Sequence, residues 1–191
     1  MGRKLQNSEL NRLSIEEFKL SPKLPVIVVL DNVRSQHNIG AAFRTGDAFR
    51  IESIFLCGIS SIPPNAEIHK SALGAEDSVE WKYFANTVDA VTFLRQERYE
   101  IITIEQTENS IMLNSFLPNK NIKYAFVFGN EVHGVLQSIV DASDLCIEIP
   151  QAGTKHSLNV SVSVGVVLWE FYKNLNSILK SSNKPSTNNL K

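Results

Sequence analysis

The chain has 191 residues, of which 43% are apolar and 20% charged, and its formal net charge is −1. This is the composition of an ordinary globular protein with enough residues for a buried core. It excludes a uniformly basic nucleic-acid coat protein, and no apolar run approaches the ~20 residues of a transmembrane helix. The two cysteines lack C-x-x-C spacing, as is typical of reduced thiols in a cytoplasmic protein. We therefore expect a cytoplasmic protein without membrane association.

Short apolar runs alternate with helical patterns along the chain. The opening segment 3–19 has helical spacing and stops before a Ser-Pro pair, which predicts a helical extension over residues 1–23. Strands are predicted at the apolar runs 25–30, 53–57, 100–104, 124–128 and 145–149. Helices are predicted between them, at 38–50, 87–98 and 133–141. This alternation predicts an α/β fold with a mostly parallel sheet flanked by helices.

The segment after the last predicted strand permits two interpretations. Valines at every second position from 160 to 166 favour a strand. The same segment also has apolar residues three or four apart, as on one face of a helix: Val160, Val164, Leu168 and Phe171. Beyond it the sequence becomes polar, which predicts a main domain over 24–173 and a disordered tail over 174–191.

Two glycine-containing loops directly follow predicted strands. The segment 129–134 (Gly-Asn-Glu-Val-His-Gly) follows Phe128, and the segment 151–153 (Gln-Ala-Gly) follows Ile149 and a proline. Open α/β sheets bind ligands at the carboxyl ends of their strands, and glycine allows tight turns or a close ligand approach. The spacing is not the G-x-G-x-x-G pattern of a dinucleotide site. The residues alone therefore indicate a nucleoside-like ligand at two adjacent loops.

A third segment, 38–44 (Asn-Ile-Gly-Ala-Ala-Phe-Arg), opens the first long predicted helix. Asn38 is a suitable N-cap for that helix. Gly40 and Arg44 are four residues apart and share a helix face, so the guanidinium has room beside it for a phosphate or a ribose. The alternative is a surface arginine that pairs with Asp47 or Glu52.

In chain order, the segments 38–44, 129–134 and 149–162 resemble the three signature motifs of the SpoU/TrmH family of RNA ribose 2'-O-methyltransferases, within the knotted SPOUT class. The resemblance runs from roughly residue 5 to residue 172. It implies the SPOUT fold, in which a C-terminal trefoil knot threads two loops through one another. It also implies an S-adenosylmethionine-dependent enzyme, active as a homodimer, and a long C-terminal helix over the ambiguous valine segment.

The resemblance also implies the positions of the cofactor and the catalytic groups. S-adenosylmethionine is expected to lie against the loops at Gly129, Ile149, Leu158, Ser157, Phe128, Asn130 and Gly153. The expected catalytic residues are Arg44, Asn38, Glu131, Ser157 and Asn159. Arg44 matches the essential arginine of the family, and Glu131 is expected to orient Asn38 or Arg44. Ser157 and Asn159 are expected beside the 2'-hydroxyl and the cofactor, and both could also cap the last helix. No metal is expected, because the histidines show no ligand spacing.

RNA contacts are expected from Arg12 in the N-terminal helix, from Lys70 and from Arg44; for Lys70 the alternative is a solvated lysine. The favoured substrate is tRNA, because family members that act on ribosomal RNA often carry an additional N-terminal domain, for which there is no room before Pro25. The alternatives are a ribosomal-RNA 2'-O-methyltransferase and a cofactor-binding RNA-binding protein without catalysis. The helix face that contains Val164 is expected to supply apolar contact between the two subunits.

Overall fold

The computed structural model of the protein describes residues 2–182, which form one sheet with helices on both faces. The strands are Leu24–Asp31 (β1), Ile51–Cys57 (β2), Glu80–Phe84 (β3), Tyr99–Ile104 (β4), Ile111–Met112 (β5), Lys123–Phe128 (β6) and Leu145–Glu148 (β7). The helices are Ile15–Leu20 (α1), Gln36–Phe49 (α2), Ala66–Ala72 (α3), Ala75–Ser78 (α4), Thr87–Gln96 (α5), Gln137–Ala142 (α6) and Val160–Ser182 (α7).

The seven strands lie in the order β3-β2-β1-β6-β4-β7-β5, and every neighbouring pair is parallel. All carboxyl ends of the strands therefore lie at the same edge of the sheet. The predicted α/β class with a mostly parallel sheet is confirmed. β7 lies between β4 and β5, although both of these strands precede it in the chain. Within residues 2–182, no helix is long and apolar enough to cross a membrane.

The core consists of two apolar layers, one on each face of the sheet. In β1, Val26, Val28 and Leu30 belong to the larger layer, which includes residues of α2, α3 and α7. Ile27 and Val29 belong to the smaller layer, beneath α5 and α6. Because both faces are covered, the central strands are continuous apolar runs, as the sequence of β1 shows.

The ambiguous valine segment is the start of α7, which confirms the helix implied by the family resemblance. Val164 and Leu168 are fully buried, and the Phe171 ring packs edge-on against Tyr124 and Phe126 at centroid distances of 5.2 and 5.5 Å. This burial in the core outweighs the strand propensity of the valines. The expectation that this face contacts a second subunit is wrong, because the face packs against the sheet of its own chain.

The helix α7 also crosses the expected domain boundary at residue 173. It continues to Ser182, and Leu175 is buried in the larger core layer. The rest of the predicted tail, 183–191, lies outside the described residues.

The single helix predicted over residues 3–19 is wrong. This segment contains a short 3-10 helix, Asn7–Glu9, and the helix α1, which begins only at Ile15. Ser14 and Glu17 form a capping box there: the Ser14 hydroxyl accepts from the Glu17 N–H, and the Glu17 carboxylate accepts from the Ser14 N–H. Asn11 has a positive φ of 46°, which is incompatible with a continuous helix.

Candidate active site

A cavity of about 740 Å³ lies at the carboxyl ends of β6, β4 and β7, which are neighbours in the sheet. Its walls are the loops that leave these strands and the first turn of α7; the loops contribute residues 104–107, 128–135, 148–149, 151 and 156–159. Small-molecule sites have volumes of roughly 300–1,000 Å³ and favour this edge of an α/β sheet. The predicted location of the ligand site therefore coincides with a cavity of suitable size.

Most of the residues predicted to hold the cofactor line this cavity: Phe128, Gly129, Asn130, Ile149, Ser157 and Leu158. Gly153 belongs to the same final loop but is not part of the lining. A side chain at residue 153 would meet no atom within 4 Å, so its surroundings give no reason for a glycine there.

The glycines of the segment 129–134 allow the loop to close on itself. Asn130 and Gly134 exchange backbone hydrogen bonds of 3.0 and 2.9 Å, and Gly134 has a positive φ of 67°. A Cβ at Gly129 would overlap the backbone of Gly134 and Val135. The Asn130 Oδ1 accepts from the Val132 N–H at 2.8 Å. Gly129 is therefore required by a close approach within the loop itself.

This closed loop also explains why the helix predicted over 133–141 begins only at Gln137.

Three predicted catalytic side chains form a hydrogen-bonded chain beside the cavity. The Asn38 Nδ2 donates to the Glu131 Oε1 at 3.1 Å, and the Asn38 Oδ1 accepts from the Asn159 Nδ2 at 3.1 Å. Glu131 and Asn159 line the cavity, whereas Asn38 lies behind them and is 6% exposed. The Asn38 amide thus connects α2 with both motif loops.

The Glu131 carboxylate is also held by backbone groups. It accepts from the N–H groups of Arg34 and Ser35, each at 3.2 Å. Burial raises the pKa of Glu131, but the hydrogen bonds from backbone N–H groups and from Asn38 outweigh burial and lower the pKa below its ordinary value. Glu131 is therefore an ionised acceptor that fixes the orientation of the Asn38 amide.

The residue that caps the N-terminus of α2 is not Asn38. The N-cap of α2 is Ser35, whose hydroxyl accepts from the Asn38 N–H at 3.3 Å. The predicted N-cap role of Asn38 is therefore wrong.

The alternative role of Asn159 as a cap of α7 is confirmed. Its Oδ1 accepts from the Ser161 N–H at 2.9 Å while its Nδ2 donates to Asn38. Ser157 is exposed, lines the cavity and makes no side-chain hydrogen bond among residues 2–182.

Arg44 lines a second cavity, of about 500 Å³, between α2 and α3. The position of Arg44 is about 120° around the axis of α2 from Asn38. Its guanidinium is exposed and has no carboxylate within ion-pair distance in the described part of the chain, so the alternative pairing with Asp47 or Glu52 is not observed. Lys70 lines the same cavity and pairs with Glu67 at 2.6 Å. The structure therefore brings two predicted RNA-contact residues together.

Gly40 has a different role from the one predicted. A Cβ at this position would overlap the Ser71 hydroxyl and the carbonyl oxygen of Ile68 in α3. The space above Gly40 is therefore occupied by α3, and the prediction that it leaves room for a phosphate is wrong.

The third residue predicted to contact RNA, Arg12, is exposed but lies in the loop before α1, outside the helix expected for it.

The residues after β4 carry no motif in the sequence, although the predicted strand 100–104 ends beside them. Glu105 and Gln106 line the cavity and contact both motif loops. Asp31 at the end of β1 was also missed; it is fully buried and accepts from the Leu136 N–H at 3.1 Å. Among residues 2–182, no group of three His, Cys, Asp or Glu side chains is placed to hold a metal ion.

Proteins that are similar in sequence to this chain include a named RNA methyltransferase. A Neisseria meningitidis protein named as the 23S rRNA (guanosine-2'-O-)-methyltransferase RlmB is 32% identical over 146 residues, which are 76% of this chain and 57% of that protein. The chain thus spans little more than half the length of that relative.

Two solved structures share the fold. The A. aeolicus TrmH/SpoU tRNA modifying enzyme has a TM-score of 0.75 at 26% identity, over 90% of this chain and 87% of that one. An AdoMet-bound rRNA methyltransferase from Sinorhizobium meliloti has a TM-score of 0.72 at 26% identity, over 78% and 56%. Residues 25–169 match the sequence model of the SpoU rRNA Methylase family, and the chain belongs to this family.

Proposed function

We propose that this protein transfers a methyl group from S-adenosylmethionine to a ribose 2'-oxygen of structured RNA. The main support for this proposal is the hydrogen-bonded chain Glu131–Asn38–Asn159, which lies at the wall of a cavity between loops of parallel strands. Membership of the SpoU rRNA Methylase family supports the same reaction.

The cavity suits S-adenosylmethionine. Apolar side chains such as Phe128, Ile149 and Leu158 line it together with loop backbone, a combination that fits an adenine ring with polar edges. The AdoMet-bound Sinorhizobium meliloti relative supports this assignment. The bound cofactor would supply the methyl group as an electrophile.

Arg44 acts on the ribose rather than on the cofactor. An arginine guanidinium keeps its proton below pH ~12, so a role as the base is not required. Its exposed positive charge orients the RNA and stabilises the alkoxide that develops as the 2'-hydroxyl attacks, while the proton passes to a phosphate oxygen or to water. Lys70, at the same cavity, supplies a second positive charge for the RNA backbone by exchanging its exposed ion pair with Glu67 for a phosphate.

The trefoil knot is also part of the proposal. β7 lies between β4 and β5, so the segment 105–110 that joins these two strands must cross β7. In a trefoil knot, the C-terminal part of the chain passes beneath an earlier loop, and such a passage requires a crossing of this kind. True knots are otherwise nearly absent from proteins. A crystal structure in which residues 149–159 passed outside the segment 105–110 would contradict the threading.

We further propose a homodimer that uses the outer face of α7. Four large apolar side chains are exposed along this face at helical spacing: Val162 (49%), Val166 (36%), Trp169 (55%) and Tyr172 (38%). The face begins beside the cavity, which Val160 and Ser163 line, so a second subunit there would lie close to the cofactor loops.

We keep the expected extension at 1–23 and a methyltransferase domain that begins at 24, but the domain includes α7 to Ser182 and does not end at 173. The extension is docked on the domain through Phe18, which is buried in the larger core layer. Limited proteolysis should cut first before Ser14 and spare the domain; early cuts inside 24–182 would contradict this division.

Ribosomal RNA is the substrate that the relatives favour, since the Neisseria meningitidis protein is named for 23S rRNA. The tRNA expected from sequence retains support from the A. aeolicus enzyme, which is described as tRNA modifying. The experiment is to map 2'-O-methyl groups in ribosomal RNA and tRNA from cells with the gene, without it, and with the Arg44→Ala variant. A site lost in both mutant strains identifies the substrate. Unchanged maps in both RNA classes would contradict the proposal.

A further inference from the structure

Glu105 links the end of β4 to the loop after β6. It directly follows the last residue of β4, and its own N–H donates to the Ile147 carbonyl of β7 at 3.1 Å. Its backbone is therefore fixed by the sheet, while its side chain lines the cavity.

The Glu105 carboxylate holds the end of the loop after β6. One oxygen, Oε2, accepts from the Val135 N–H at 3.0 Å, and the other, Oε1, accepts from the Gln106 N–H at 2.9 Å. A Cβ at Gly134 would overlap Oε2, so the carboxylate occupies the space beside this glycine. The loop and the carboxylate are thus packed against one another.

The next residue connects the same position to the final loop. The Gln106 Nε2 donates to the His156 carbonyl at 2.9 Å. His156 directly precedes Ser157 and Leu158, which line the cavity. Residues 105–106 therefore connect β4 to both loops through one hydrogen bond each.

We propose that Glu105 is a positioning residue that, together with Gln106, sets the spacing of the two loops and so pre-forms the cofactor cavity. This inference rests on the proposed function, because the cavity is taken to bind S-adenosylmethionine. A loop that is ordered before binding loses less conformational entropy when the ligand arrives, which strengthens binding without a direct contact. Glu105 thus acts on cofactor affinity through the loop and not on the reacting atoms.

A carboxylate is specifically suited to this position. It offers two acceptor oxygens and no donor, so it can serve the N–H groups of Val135 and Gln106 together. A glutamine has the same shape, but its NH₂ group would face one of these N–H groups. Glu105→Gln is therefore expected to weaken one link while preserving the packing of the side chain.

The test compares Glu105→Gln, Gln106→Ala and the control Glu108→Gln. Glu108 is exposed in the same loop and makes no hydrogen bond among residues 2–182, so its variant removes the same charge without cutting a link. Calorimetry with S-adenosylmethionine should show an affinity loss of about tenfold for Glu105→Gln. Gln106→Ala should show a smaller loss, and Glu108→Gln none.

Two further measurements separate positioning from general destabilisation. In steady-state kinetics, Glu105→Gln should raise the KM for S-adenosylmethionine while kcat at saturating cofactor stays within about twofold. Hydrogen exchange in the absence of ligand should become faster at Val135 and in 149–159, and not in the central strands. If Glu105→Gln does not fold, Gln106→Ala still tests the second link, and unchanged affinity in Gln106→Ala would then overturn the inference.

The two possible failures are distinguishable. If the wild-type protein does not bind S-adenosylmethionine, the proposed function is wrong. If the wild type binds it and Glu105→Gln binds equally well, the inference about Glu105 is wrong and the proposed function is unaffected.

Discussion

Asn38 is the residue at which α2, the loop after β6 and the start of α7 are joined. Its amide donates to Glu131 and accepts from Asn159, so both of its polar atoms are used. An aspartate would fit the same space but would place an oxygen against the Glu131 carboxylate.

We therefore predict that Asn38→Asp reduces methyl transfer by about 10–100-fold, the range expected when a hydrogen bond to a charged group is lost. The matched control is Asn109→Asp, a change at an exposed turn residue that makes no hydrogen bond among residues 2–182. Initial rates at saturating cofactor and RNA provide the measurement. Equal rates for the two variants would exclude a role for the hydrogen-bonded chain.

Arg44 should contribute to transfer but not to cofactor binding, because it lies outside the larger cavity. Arg44→Ala is expected to keep the affinity for S-adenosylmethionine within a few-fold of wild type while methyl transfer falls by at least about 100-fold. Lys120→Ala removes one exposed positive charge elsewhere and serves as the control. Loss of cofactor binding in Arg44→Ala would contradict this separation of roles.

The lowered pKa of Glu131 predicts a pH dependence of stability. A carboxyl group whose pKa is lower in the folded state stabilises the fold above its ordinary pKa of 4.5, and this contribution disappears as the pH falls through the lowered value. The difference in the free energy of unfolding between wild type and Glu131→Gln should be constant at neutral pH and shrink in acid. Denaturant titrations across this range measure it, and a difference that grew on acidification would have the wrong sign.

The sequence predicted which residues belong to the site better than it predicted which atoms those residues contact. The motif positions led to Asn38, Glu131 and Asn159, which the structure joins. The roles assigned to Asn38 as an N-cap and to Gly40 as free space were wrong, because the true cap, Ser35, and the packing of α3 depend on contacts distant in sequence.

At the element scale, α7 has two apolar faces with different partners. The inner face, with Val164, is buried against the sheet, and the outer face, with Trp169, is exposed. Val164→Ala should lower the free energy of unfolding by roughly 2 kcal/mol and leave the oligomeric state unchanged.

Trp169→Asp should instead shift the protein from dimer to monomer, with only a small loss in the free energy of unfolding from the lost contact with the Phe49 ring at a centroid distance of 6.3 Å. Sedimentation velocity and chemical denaturation of the two α7 variants provide the measurements. A wild-type monomer, or a Trp169→Asp protein that stays dimeric, would contradict the proposed interface.

Elements with strong apolar patterns were predictable, and weakly patterned ones were not. The strands from β1 to β7 that contribute buried runs were found, but β3 was missed because it is an edge strand without a buried residue in its pattern. β5 was missed because it has only two residues. The helix α7 could be chosen over a strand only through the family resemblance, since burial against the sheet decides its conformation.

At the scale of the whole molecule, alternating strands and helices predicted the parallel sheet, and the carboxyl-edge rule predicted the location of the cavity. The strand order was not predictable, because the placement of β7 between β4 and β5 depends on pairing between residues distant in sequence. This placement brings three ligand-facing loops together, and it explains why the residues after β4 belong to the site.

The chemical position of the transferred methyl group tests the proposed reaction. The purified protein is incubated with S-adenosylmethionine carrying a labelled methyl group and with ribosomal RNA or tRNA, and the RNA is then hydrolysed in alkali. Because alkaline cleavage requires the free 2'-hydroxyl, a 2'-O-methylated linkage survives, and we predict that the label appears in alkali-resistant dinucleotides. Label in single nucleotides, which would indicate a methylated base, or no label despite binding of cofactor and RNA, would contradict 2'-O-methyl transfer by this protein.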